Sequence, residues 1–76
     1  MILNPSQAEA IYSSMCALNN VGARVKASFG DLDKEAINVF EDEEGFVKVV
    51  KIRSWTQRGL EFYENQADFA KAYKLM

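Results

Sequence analysis

Asp31, Asp33 and Glu35 carry carboxylates at the one-three-five spacing that opens a calcium loop, and Asp42 stands at the twelfth place. The specific part of that pattern is missing. The sixth place is Ala36 where the sharp turn needs glycine, the twelfth lacks the bidentate glutamate, and a solvated acidic loop accounts for the same residues. Cys16 is the sole cysteine, and with no second cysteine or histidine beside it the thiol reads as a small buried hydrophobe on a helix. The chain has no histidine, which removes the usual general base, the commonest zinc ligand and every histidine-dependent triad. Gly22, Gly30, Gly45 and Gly59 are isolated, so neither a phosphate loop nor a dinucleotide fingerprint is present. These residues point to a protein that is not an enzyme and uses no cofactor or metal.

Binding chemistry remains. Arg24, Lys26, Lys51 and Arg53 interleave with Phe40, Trp55 and Tyr63 in segments that read as strands. Such a mixture suits a protein interface, where Trp, Tyr and Arg concentrate binding energy, or single-stranded nucleic acid, which stacks on aromatics and needs cations. Long basic side chains also cover ordinary sheet surface with their stems. A sequence pI near 5.0 ranks protein above nucleic acid. Acidic residues cluster as well: seven of the 11 fall between Asp31 and Glu44, ending in Asp42-Glu43-Glu44. They read as charged turns that keep a hairpin soluble, or as an anionic end of the sheet that docks on a basic surface or imitates nucleic acid. A net charge of -2 speaks against mimicry by the whole molecule.

The elements that must hold these groups follow from local signals. Asn4-Pro5-Ser6-Gln7 combines an N-cap, a proline at the first helical position and a capping-box glutamine. Ala8, Ile11, Tyr12, Met15 and Leu18 recur at helical spacing, so a helix is expected over 5–19. The period then becomes two, with Val21, Ala23, Val25, Ala27 and Phe29 alternating with polar residues as in a half-buried strand. After a charged turn, Ala36–Glu41 resumes the strand pattern, and Asp42-Glu43-Glu44-Gly45 fits a type I turn with a following bulge. Phe46–Ile52 is dense in β-branched residues and pairs back. A second turn is expected at Thr56-Gln57-Arg58-Gly59, then a short strand over 60–63, then a helix over 66–75 capped by Asn65. The order α-β-β-β-β-α implies an α+β fold with a four-strand antiparallel meander and both helices on one face.

The third strand decides which surface is free. Val50 and Ile52 share a face with Phe46, Lys48 and Ser54, and Val47 and Val49 share the other with Lys51, Arg53 and Trp55. The expected core is Ile11, Met15, Val25, Val39, Ile52, Leu60 and Phe69. Phe40, Val47, Val49, Trp55 and Tyr63 are then left on or beside an outer face framed by Arg24, Lys26, Lys51 and Arg53. A bulge near Val49-Val50 is the alternative, since it would turn both apolar sets inward.

Residues 1–76 fit one domain, because a chain of this length buries only about 60% of its unfolded surface. A small domain without disulfides suits a reducing compartment, and Met1-Ile2-Leu3-Asn4-Pro5 lacks the regions of a signal peptide, so a cytoplasmic location is expected. In size, acidic balance and helix-sheet-helix plan, with the closing segment Asn-Gln-Ala-Asp-Phe-Ala-Lys-Ala-Tyr-Lys-Leu over 65–75, the chain resembles small accessory proteins of tailed bacteriophages, including host-takeover and anti-defence inhibitors. That resemblance implies stoichiometric binding to a bacterial host protein in the host cytosol. A single-stranded nucleic-acid module and a self-associating structural protein, such as a homodimer, are the other readings; none involves a membrane.

Overall fold

The computed structural model describes residues 1–76. Its elements are α1 (Pro5–Asn19), β1 (Lys26–Gly30), β2 (Glu35–Glu41), β3 (Val47–Arg53), β4 (Thr56–Tyr63) and α2 (Gln66–Ala72). The strands form one antiparallel sheet in the order β1-β2-β3-β4. This is the α+β order expected from the sequence. No helix is long and apolar enough to cross a membrane.

Helix α1 starts where its cap is written: Asn4 Oδ1 accepts from the Gln7 N–H at 2.8 Å, and Gln7 Oε1 accepts from the Asn4 N–H at 3.1 Å. The reciprocal pair satisfies two donors that the first turn would otherwise leave open. Ala8, Ile11 and Met15 form the buried stripe. Each of the two larger side chains contributes about 1.5–3 kcal/mol by leaving water. Helix α2 begins at Asn65, whose side chain accepts from the Asp68 N–H at 2.8 Å. It stops short of the expected 66–75 because Lys74 takes a left-handed φ of 58°, and the Leu75 N–H returns to the Ala70 carbonyl at 2.8 Å. That is the closing turn of a Schellman motif, and it brings Leu75 back against the core.

Both helices cover the same face of the sheet, since one cluster joins Ala8, Ile11, Met15 and Phe69 to Val25, Val39, Val47 and Val49, with Leu3 sealing its edge. The β2–β3 hairpin sets the phase of that face. Asp42 accepts from the Glu44 and Phe46 N–H groups through its carboxylate, and Gly45 supplies a φ of 91°. The turn pairs Val39 with Val49 and Glu41 with Val47. With Val39 inward, Val47 and Val49 must be inward too, and Val50 and Ile52 outward. This reverses the expected faces of the third strand, and the irregularity in β3 and β4 lies between Lys51 and Ile52 rather than at Val49-Val50. Leu60, 54% exposed, and the half-buried Ile52 accordingly leave the expected core.

Two boundaries also differ. The first strand begins at Lys26, because Val21–Val25 form a turn and an approach segment. The β3–β4 connection is the two-residue turn Ser54-Trp55, both left-handed with φ of 49° and 66°, and Thr56–Gly59 belongs to β4. Arg58 is the extra residue there, as Lys51 pairs with Gly59 while Ile52 pairs with Gln57. Cys16 is exposed, not buried. A helix turns about 100° per residue, which carries Cys16 to the side of the Met15 stripe.

On the covered face a small polar group closes the packing. Glu61 accepts hydrogen bonds from the Ile2 N–H at 3.0 Å, from Tyr63 Oη at 3.0 Å and from Tyr73 Oη, and Tyr73 Oη in turn accepts from the Leu3 N–H at 3.2 Å. Burial first, then the Glu61 hydrogen bond and negative charge, push Tyr63 up to about 12 and raise Tyr73 as well. The knot ties residues 1–3 to β4 and α2.

Candidate functional site

With both helices on one side, the other side of the sheet has no covering layer. Its residues line up in rows across all four strands. Lys26 opposes Phe40, Phe40 opposes Lys48, and Lys48 opposes Phe62, so one row alternates cation and aromatic from edge to edge. The Lys48 ammonium stands 6.0 Å from the centroid of each flanking ring, close enough for cation–π attraction. Phe46 packs on Phe62 with centroids 4.9 Å apart. The next row is Ser28, Asn38, Val50 and Leu60, in which Ser28 and Asn38 are joined side chain to side chain at 2.7 Å. Phe62 is 50% exposed and Leu60 54%, so two large apolar side chains on this face stand half in water.

The face has little net charge of its own. Lys48 forms an ion pair with Asp42 at 3.5 Å. Partial desolvation pushes the Asp42 carboxyl up, but the Phe46 and Glu44 N–H groups and the Lys48 charge together hold it below its ordinary range. Lys26 is exposed and makes no ion pair.

The residues singled out from the sequence are only partly brought together. Lys26 and Phe40 lie on the bare face as expected. Arg24 lies at the acidic hairpin tip, donating to the Glu43 carbonyl at 3.1 Å. Lys51 and Arg53 share the side of Val47 and Val49, and Lys51 pairs with Glu35 at 3.3 Å. Tyr63 is on the covered side, edge-on to Phe69 with centroids 5.6 Å apart. Trp55 sits at the β3–β4 turn, 69% exposed, its indole N–H donating to Asp33 Oδ1 at 2.8 Å. The basic frame expected around one face is therefore split between two.

The acidic residues are split as well. Asp42, Glu43 and Glu44 occupy the β2–β3 tip, and the 31–34 loop lies at the opposite end, where Lys34 accepts from the Ser54 N–H. Asp31 accepts from the Asp33 N–H, and Asp33 holds Trp55, so both carboxylates stabilise local turns. The expectation of a single anionic end is corrected to two smaller ones.

Phe46, Lys48, Val50, Leu60 and Phe62 were missed as surface residues. The signal was available in the turn: a hairpin closed by Asp42 and Phe46 fixes Phe40 opposite Lys48, so that β3's even-numbered residues must share the face of Phe40. No protein-family model, no curated protein and no solved structure matches this chain.

Proposed function

We propose that this chain works without catalysis, by binding another protein through the bare face of its sheet. The observation that carries the reading is the uncovered Phe40–Lys48–Phe62 row with Phe46, Val50 and Leu60 around it. Aromatic anchors amid aliphatic side chains are the composition of an interface centre, and the polar residues at either end of the strands would form its rim. Binding of this kind acts by occupancy, as an inhibitor or adaptor does. The outline resemblance to phage accessory proteins would make the partner a bacterial host protein and the setting the host cytosol.

Single-stranded nucleic acid is the second reading, because alternating lysines and phenylalanines on an open sheet offer stacking beside cations. It ranks lower on charge. Of the two lysines in the row, Lys48 is neutralised by Asp42, and Lys51 and Arg53 lie on the other side of the sheet. Affinity capture with nuclease-treated and untreated arms tests the order. Capture that survives nuclease, is lost in Phe62→Asp and persists in Lys51→Ala supports the protein reading; oligonucleotide binding that falls steeply with salt supports the other.

A further inference from the structure

Strand β1 is an open edge, and the row that ends on it indicates what completes it. The Glu41 N–H bonds to the Val25 carbonyl, which fixes the phase of the ladder. In an antiparallel pair alternate residues bond to the neighbour, so the N–H and C=O groups of Lys26 and Ser28 point away from β2 toward solvent. Lys26 and Ser28 are exposed. A shallow groove lined by Lys26, Ala27, Ser28, Asn38, Val39 and Phe40 runs alongside. The far edge, β4, is interrupted by the Arg58 bulge, which breaks the even spacing a new strand needs.

The surroundings of Lys48 show what a lysine in this row acquires from a neighbouring strand. Strand β2 gives it a ring directly opposite, Phe40, and a carboxylate two residues further on, Asp42 at 3.5 Å. Lys26 has Phe40 on its inner side and nothing on its outer side. A strand added to β1 antiparallel would run in the direction of β2 and meet Lys26 as β2 meets Lys48. We infer that β1 is a docking edge for an extended segment of a partner protein bearing an aromatic-x-acidic motif, its ring opposite Lys26 and its carboxylate beside the ammonium. Backbone pairing with Lys26 and Ser28 supplies the affinity, and the motif supplies the register. This rests on the protein-binding reading of the adjoining face and names the partner's chemistry.

The test uses the full chain and a short acetylated peptide of alternating threonine and valine with one central Phe-Thr-Asp. Amide hydrogen exchange at Lys26 and Ser28 should slow on addition of the peptide. Replacing the peptide's Phe by Ala should weaken binding roughly five- to tenfold, and Lys26→Glu should weaken it at least as much. Binding that leaves the Ser28 amide unprotected but involves Phe40 and Phe62 would overturn the edge assignment while the face reading stands. A chain whose mass in solution rises with concentration, with Ser28 already protected, would overturn it in favour of a second copy. Silence toward every peptide, with oligonucleotide binding instead, would overturn both.

Discussion

Both faces of this sheet carry large apolar residues, and those residues meet different fates. On the covered face Val39, Val47 and Val49 are fully buried beneath Ile11, Met15 and Phe69. On the bare face Val50, Ile52, Leu60 and Phe62 keep part or half of their surface in water. What separates them is pairing register, not hydrophobicity: a strand alternates, and one turn decides which alternate goes under the helices. Apolar residues left on the other side of that decision stay partly in water and stabilise less.

Adjacent residues of β3 should separate the two faces most strongly. Val49→Asp puts a carboxylate under the helices, where an unpaired charge costs several kcal/mol against a total stability of about 5 kcal/mol for a domain of this size. It should be unfolded by circular dichroism at room temperature. Val50→Asp, one residue on but on the open side, should stay folded and melt within a few degrees of the parent. A folded Val49→Asp together with an unfolded Val50→Asp would reverse the two faces.

Phenylalanines extend the contrast at smaller scale. Phe69 is buried among Tyr63, Tyr73 and the valines, so Phe69→Ala should cost about 3–5 kcal/mol in urea unfolding. Phe62, half exposed on Phe46, should cost less than about 1.5 kcal/mol when truncated, yet weaken partner binding by roughly tenfold or more. Equal stability losses would mean that the bare face is as structural as the covered one.

The covered face should respond to alkali through its tyrosines. Tyr63 is raised from 10.0 to about 12, so its folded form holds the proton more tightly than the unfolded chain does. The resulting stability is fully present below pH 10 and lost as pH rises toward 12. Tyr73 is shifted the same way and adds to the slope. Melting temperature should therefore fall above about pH 10, more gently in Tyr73→Phe, which removes one of the two titrations. A profile as steep in the variant as in the parent would dissociate Tyr73 from the effect.

Much of this was legible in the sequence where the signal was local. Asn4, Pro5 and Gln7 fixed the start of α1, Asn65 and Asp68 that of α2, and Gly45 the β2–β3 turn. The faces of β3 were not, because Val47, Val49, Val50 and Ile52 are apolar on both alternates and composition alone cannot choose. The β3–β4 turn was misplaced for a different reason. Gly59 looks like the turn residue, but the left-handed positions fall on Ser54 and Trp55, and Gly59 lies inside β4 beside the bulge. Phase and turn together place Tyr63, Lys51 and Arg53 off the bare face and Phe46, Lys48 and Phe62 on it.

Trp55 carries the smallest and most informative expected effect. A two-residue hairpin with both φ values positive favours Asn-Gly, and a bulky residue at φ 66° is strained by roughly 1 kcal/mol or more. The Asp33 hydrogen bond offsets part of that strain by about 1 kcal/mol. Trp55→Gly relieves the strain and loses the bond, so stability should change by less than about 1 kcal/mol in either direction. Trp55 stands at the end of the sheet, away from the Phe40–Lys48–Phe62 row, which separates its contribution from that of the face. If the bare face is the interface, Trp55→Gly should leave binding within about threefold of the parent, while Phe62→Ala does not. A loss in Trp55→Gly larger than in Phe62→Ala, with unchanged melting, would move the interface to the turn that holds this strained, exposed indole.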